Sequence, residues 1–125
     1  MDKYVVGEVW LYQQREEEEN STVVINKIEL GSDQLPIYHI TIRDVKIANP
    51  NSPTGFTDKI GHAPVSVETL ERSLTTKIAN EEVDSDYLEG YEAWYKAHVA
   101  GEAGVFTNTV AEIVSYIEQV INSQQ

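Results

Sequence analysis

The sequence predicts an α+β fold in which a three- to four-stranded antiparallel meander sheet, formed by the N-terminal half, is packed by about three C-terminal helices. In the first 47 residues, β-branched and aromatic runs are separated by short polar connections, which is typical of successive antiparallel strands. After residue 66, apolar residues recur three and four positions apart, which is typical of amphipathic helices. Strands that precede the helices, instead of alternating with them, favour an α+β fold over a parallel α/β fold.

The first predicted strand, residues 4–12, is apolar at both its even and its odd positions. Since successive side chains of a strand point to opposite faces, both faces of this strand need cover. The simplest model packs all the helices on one face of the sheet. The first strand indicates instead that helices cover both faces, or that the open face meets a partner protein or a second copy of the chain.

Two further runs, residues 22–30 and 37–47, predict the next two strands. Regular alternation assigns their side chains to faces. The second strand is expected to place Val24, Ile28 and Leu30 on one face and Val23, Ile25, Lys27 and Glu29 on the other. The third is expected to place Tyr38, Ile40 and Ile42 opposite His39, Thr41 and Arg43.

Residues 48–65 are predicted to form a long loop. The stretch 49–55 is dense in Asn, Pro, Ser and Gly, and Gly61-His62-Ala63-Pro64 follows soon after. Loops of this length are uncommon in compact domains and often functional. The segment is therefore interpreted either as a recognition loop or as a plain crossover from the sheet to the helices.

Three helices are predicted within residues 66–123. Ser66 is a candidate N-cap for the first, whose apolar stripe is Val67, Leu70, Leu74 and Ile78. The second begins at Asp84, Ser85 or Asp86, ends at Gly101, and carries Tyr87, Leu88, Tyr91, Trp94, Tyr95, His98 and Val99. The third begins at Thr109, which forms a capping box with Glu112, and buries Val110, Ile113, Val114, Ile117 and Ile121.

Length and composition limit the class of protein. The 125 residues are expected to form a single domain, residues 1–125, with a formal net charge of −12. Net negative charge argues against nucleic acid or an anionic membrane as the main partner. The chain has no cysteine, and its N-terminus lacks the pattern of a secretory signal. A cytoplasmic protein without a cofactor or a metal is therefore expected.

The acidic residues are concentrated, and this predicts a function. Residues 81–125 carry nine acidic side chains against Lys96 alone, on and around the aromatic helix. Tyrosine and tryptophan often anchor protein interfaces, and a concentration of carboxylates complements a basic partner. The sequence predicts a non-enzymatic protein-binding module, of the type of a bacterial immunity or antitoxin inhibitor. The expected surface comprises Glu16, Glu17, Glu18, Glu19, Glu81, Glu82, Asp84, Asp86, Tyr87, Glu89, Tyr91, Glu92, Trp94 and Tyr95. Charge runs that only keep the protein soluble are the alternative.

Two other functions stay open at this point. A small-ligand protein or an enzyme is possible if a groove between sheet and helices brings together Glu8, His62 and His98. No nucleophile motif and no metal-ligand spacing supports that reading, and no catalytic residue is assigned. A homodimer that buries an open sheet face is the third option.

Overall fold

A computed structural model describes residues 3–123 as a five-stranded antiparallel sheet with three α-helices and one 3-10 turn. The α+β prediction is confirmed, with more strands than expected. The sheet order is β4-β3-β2-β1-β5. The strands are β1 Glu8–Tyr12, β2 Thr22–Leu30, β3 Pro36–Ala48, β4 Phe56–Val65 and β5 Leu74–Asn80. The helices are α1 Val67–Ser73, α2 Leu88–Val99 and α3 Val110–Ser123, and the 3-10 turn is Ser85–Tyr87.

The prediction of a loop over residues 48–65 is wrong, because most of this segment is β4. Only the breaker-rich part turns: the Asn49 amide donates to the Gly55 carbonyl at 2.9 Å, and Gly55 has a φ of 83°. Beyond the turn, β4 pairs with β3 and buries Ile60 opposite Ile42. Gly61 and Pro64 are residue types that are rare in strands, which is why the sequence pattern predicted a loop here. Pro64 is tolerated because β4 lies at the sheet edge.

The first helix is shorter than its apolar stripe predicts. It ends at Ser73, and Leu74–Asn80 pairs with β1 as the opposite edge strand. Leu74 still faces the core, whereas the side chain of Ile78 is 51% exposed. The β-branched content of β5 suits a strand, and the outer edge of β1 supplies hydrogen-bond partners that an isolated segment lacks.

The strand predicted from residue 4 begins only at Glu8. Tyr4 is buried against Trp10 and Tyr38, but a turn at residues 5–7 separates it from β1. Gly7 has a φ of 94°, and a Cβ there would lie 2.7 Å from the Glu81 carbonyl oxygen. Glycine is therefore required at this crossing of two backbone segments.

Helices α1 and α3 cover one face of the sheet. Their buried side chains Leu70, Ile113 and Val114 pack on the face that carries Ile40 and Ile42, as predicted for β3. The faces predicted for the second half of β2 are wrong, because the register of the β2–β3 pairing shifts between Ile25 and Lys27. Because of this shift, Ile28 packs with Val23 and Ile25 and not opposite them.

The opposite face is covered by residues 81–87 and by α2. The Glu81 amide donates to the Gly7 carbonyl at 2.8 Å. The Glu81 carboxylate pairs with Arg43 of β3 at 3.0 Å, and the Asp86 carboxylate pairs with Lys59 of β4 at 2.8 Å. The chain thus crosses the sheet from the β5 edge to β4 before α2 begins. Both faces of the sheet are covered by the chain's own helices.

The caps predicted at Ser66 and Thr109 and the end predicted for the second helix agree with the structure, whereas α2 begins at Leu88, after a 3-10 turn that Asp84 caps. Ser66 accepts a hydrogen bond from the Thr69 amide, and Thr109 and Glu112 exchange the two bonds of a capping box. Gly101, with a φ of 77°, follows the end of α2. Within residues 3–123, no helix combines the length and the hydrophobicity that crossing a bilayer requires.

Candidate functional site

A hydrogen-bonded chain of Glu29, His39 and His62 lies beneath α2. These residues come from the adjacent strands β2, β3 and β4. His39 Nε2 lies 2.7 Å from the Glu29 carboxylate, and His39 Nδ1 lies 2.8 Å from His62 Nε2. The two imidazole rings stack, with centroids 5.1 Å apart and planes inclined by 17°. We call His39 and His62 the histidine pair.

The hydrogen bonds assign a tautomer to each ring of the neutral histidine pair. A carboxylate only accepts, so His39 carries its proton on Nε2 and donates it to Glu29. In a neutral His39, Nδ1 is then an acceptor, and His62 Nε2–H donates to it. Both rings are neutral in this arrangement.

Burial keeps the histidine pair neutral. It lowers the pKa of His62 to about 4, with the neighbouring His39 as a further cause. Burial also lowers the pKa of His39, although the Glu29 carboxylate acts in the opposite direction. The His39 side chain is fully buried, and at neutral pH the pair is a polar but uncharged part of the interior.

The aromatic residues of α2 pack on the histidine pair. The rings of Tyr91 and Trp94 meet His39 edge to face, at 4.8 Å and 4.9 Å between centroids. Trp94 stacks on His98 at 4.4 Å, and its indole N–H donates to the Gly104 carbonyl at 2.9 Å. Burial and the Glu29 carboxylate raise the pKa of Tyr91 to about 12. Tyr91 and Trp94, predicted as interface residues, therefore attach α2 to the sheet.

The backbone of α2 at Gly90 packs directly against His62. A Cβ at Gly90 would lie 2.8 Å from His62 Cβ and 3.7 Å from His62 Nδ1. A general acid or base has to reach its substrate within hydrogen-bond distance. This packing favours a structural role for His62. Across residues 3–123, no group of three or more acidic or histidine side chains is arranged to hold a metal ion.

The structure does not bring Glu8, His62 and His98 into one pocket. Glu8 lies three strands from β4, which corresponds to about 14 Å of sheet. Its carboxylate accepts from the Val5 amide and the Trp10 indole, and it lies 3.5 Å from Lys77. His98 instead lines a half-enclosed cavity of about 350 Å³ together with Leu35, Ile37, Glu68 and Val105.

The acidic run Glu16–Glu19 lies away from α2. The Glu18 side chain is 1% exposed, and both its carboxylate oxygens accept from Arg15. Arg15 also binds Glu118 of α3 at 2.9 Å, which places the run on the α3 side of the sheet. Glu16, Glu17 and Glu19 are exposed, so the two predicted acidic clusters do not form one continuous surface.

Around α2, the acidic side chains divide into two groups. Glu81 and Asp86 pair with cations of the sheet, and Asp84 caps the 3-10 turn. Glu82, Glu89 and Glu92 are exposed, and their carboxylates form no hydrogen bond or ion pair with the described part of the chain. The free negative charge therefore lies on the outer side of α2 and just before it.

Helix α2 also exposes an apolar stripe. Leu88 is 40% exposed, Tyr95 45% and Val99 65%. At about 100° per residue, the three lie within about 40° of one another around the helix, and Glu92 and Glu89 follow on the solvent side. We call Leu88, Tyr95 and Val99 the α2 stripe. It lies beside the face that packs on the histidine pair, so α2 has one aromatic face turned inward and one apolar edge turned outward.

Sequence reasoning missed Glu29 and the importance of His39. The sequence placed both residues on strands. It did not predict that they meet, because their contact depends on the register shift after Ile25 in the pairing of β2 with β3. The alternation of β3 did predict His39 on the face opposite Ile40. The contact with His62 required β4, which the sequence disguised as a loop.

No protein-family model, no curated protein and no solved structure matches this chain. Similarity therefore supplies neither a family nor a function. We infer the function from the geometry around α2.

Proposed function

We propose that the protein is a non-enzymatic protein-binding module, and that the α2 stripe with its flanking carboxylates docks a basic partner protein. One observation carries the proposal. The exposed side chains of Tyr95 and Val99 lie on the same helix as the carboxylates of Glu89 and Glu92, which have no ion-pair partner in the described chain. Apolar side chains and free charges on one helix edge match the two parts of a protein interface, an apolar centre and a charged rim.

Each part has a separate physical task. Tyr95 presents a large ring with a polar end, which is the kind of side chain that contributes most to binding at interfaces. Leu88 and Val99 add apolar area that a partner removes from water. The carboxylates, within a chain of net charge −12, speed association with a positive surface and disfavour acidic partners.

A bacterial immunity or antitoxin-type inhibitor is the class of binding protein that we favour. Nuclease toxins need positive active sites because their substrates are negative, and a small acidic protein is suited to cover such a site. A cysteine-free chain is compatible with work in the cytoplasm. The packing of His62 against Gly90 supports binding over catalysis.

Matched charge reversals test the proposal. The wild-type protein, the double variant Glu89→Lys/Glu92→Lys and the double variant Glu16→Lys/Glu17→Lys are immobilised and exposed to an extract of the source cells. Bound proteins are identified by mass spectrometry during elution from about 0.05 to about 0.5 M salt, a range that shortens the Debye length severalfold. Circular dichroism verifies that each variant is folded.

We expect a basic protein that binds the wild type and the Glu16/Glu17 variant, elutes with salt, and does not bind the α2 variant. Tyr95→Ala should weaken the same interaction by at least tenfold in a binding titration with the purified partner. Equal capture by all three proteins would contradict the assignment of the surface. Recovery of a small molecule, without any basic protein, would contradict the proposed function.

A further inference from the structure

The contact between α2 and the sheet contains two imidazoles in direct contact, of which His39 is fully buried and His62 partly buried, and this arrangement cannot accept two protons unchanged. His39 Nδ1 and His62 Nε2 lie 2.8 Å apart and share one hydrogen. A protonated imidazole carries hydrogen on both nitrogens. If both rings were protonated, two N–H groups would face each other and the bond between them would be lost.

The charges around the histidine pair do not neutralise two imidazolium ions. From β2, Glu29 supplies one negative charge and Lys27 one positive charge, the latter 5.4 Å from the Tyr91 ring centre. From β4 and the 3-10 turn, Lys59 and Asp86 pair with each other. From α2, Tyr91 is neutral, and His98, stacked on Trp94, adds positive charge when it is protonated. Buried unbalanced charge is costly, so protonation favours any state that hydrates the pair.

The element most easily displaced is α2. None of its side chains is fully buried, whereas Leu70, Ile113 and Val114 are buried on the opposite face by α1 and α3. The pair lies between β3, β4 and α2, and Gly90 brings the helix into direct contact with His62. Lifting α2 hydrates both imidazoles and leaves the core between the sheet and the other helices intact.

We propose that α2 is an acid-released helix, and that protonation of His39 and His62 detaches it from the sheet while the α1 and α3 side stays folded. The direction agrees with the lowered pKa of both imidazoles in the closed state, because burial opposes the protonated form. This device concerns α2 alone and does not depend on which partner binds the chain.

Nuclear magnetic resonance monitors the helices on the two faces of the sheet separately. The Trp94 indole N–H, which is bonded to the Gly104 carbonyl, reports on α2, and the buried Val114 amide reports on α3. The full chain is titrated from about pH 7.5 to about pH 2.5, a range that extends more than one unit below the lowered pKa of His62, about 4. The ring carbons of His39 and His62 are followed in the same samples.

We expect the native Trp94 indole signal to disappear together with the titration of the histidine pair, while the Val114 amide keeps its native shift. His62→Gln, which keeps a side-chain N–H donor but does not titrate, should move the midpoint down by at least about one pH unit. Glu92→Gln is the matched control on the same helix, because the exposed Glu92 carboxylate forms no hydrogen bond or ion pair with the described residues, and its midpoint should stay within about 0.3 units.

Three results would overturn the inference. The first is loss of the Trp94 and Val114 signals at the same pH. The second is an unchanged midpoint in His62→Gln. If that variant does not fold, the wild-type titration decides: imidazoles of the pair that titrate at an ordinary pKa, with the native Trp94 signal retained, would refute acid release.

Discussion

At the scale of single residues, Gly90 determines how closely α2 approaches the sheet. Most glycine-to-alanine changes within a helix are stabilising, because alanine has the higher helix propensity by about 1 kcal/mol. At position 90 the added methyl group would lie 2.8 Å from His62 Cβ, an atom fixed next to the strand backbone. The steric clash with His62 therefore opposes the gain in helix propensity that alanine would bring.

We expect Gly90→Ala to lower the free energy of unfolding by about 1–2 kcal/mol, since overpacking shifts α2 away from the histidine pair. Urea denaturation followed by fluorescence measures the change. Gly104→Ala is the control, because no atom lies within 4 Å of a Cβ at that position. Equal stability of Gly90→Ala and wild type would show that α2 packs more loosely than the structure describes.

A second prediction at this scale concerns Arg15. Its guanidinium satisfies both oxygens of Glu18, whose only other hydrogen bond within residues 3–123 comes from the Lys46 amide at 2.6 Å. We expect Arg15→Met to cost about 2–4 kcal/mol, because a buried carboxylate loses its cation. Thermal and urea denaturation measure the loss. Glu16→Gln, on the exposed neighbour, should change stability by less than about 0.5 kcal/mol, and a similar loss there would contradict the argument.

At the scale of elements, α3 depends on its N-terminal cap. The Thr109 hydroxyl accepts from the Glu112 amide at 3.2 Å, and the Glu112 carboxylate accepts from the Thr109 amide at 2.9 Å. The Val110 amide donates to the buried hydroxyl of Ser73. The first turn of α3 is thus satisfied by its own capping box and by the end of α1.

We expect Thr109→Ala to destabilise the protein by about 1 kcal/mol, because the Glu112 amide in the first turn of α3 loses the hydroxyl that caps it. The midpoint of the circular dichroism melt measures it. Ser115→Ala, on the exposed side of the same helix, is the control and should cause no loss. Equal melting midpoints for Thr109→Ala and Ser115→Ala would show that the capping box contributes nothing measurable to stability.

At the scale of the whole molecule, stability depends on pH through groups on both sides of the sheet. The pKa of His62 is about 4 in the folded chain against 6.5 for a free imidazole. The unfolded chain therefore binds more protons between these values, and stability is lost as the pH falls from about 6.5 to about 4. The hydrogen bonds from the Thr109 and Ala48 amides hold the pKa of Glu112 and of Glu118 low, so further loss follows as these carboxylates are protonated.

We expect the free energy of unfolding to be highest between about pH 7 and 9, and to fall towards acid by at most about 3 kcal/mol through His62. Towards alkali it should fall as the pH rises from about 10 to about 12, because burial raises the pKa of Tyr12 to about 12. Urea denaturation at half-unit pH steps measures the profile. In His62→Gln, the decline between pH 6.5 and 4 should be reduced, and an identical decline would contradict its assignment to His62.

The sequence by itself determined the strands with clear alternation, the caps of α1 and α3 at Ser66 and Thr109, and the aromatic and acidic character of α2. These are local properties, set by side-chain periodicity and by caps within a few residues of each other. Only the tertiary structure decided that residues 56–65 and 74–80 are the edge strands. Their hydrogen-bond partners lie on β3 and β1, and no local pattern encodes such pairing. The hydrogen bonds that link Glu29, His39 and His62 could not be predicted from the sequence for the same reason. These residues meet only when three strands align with one register shift.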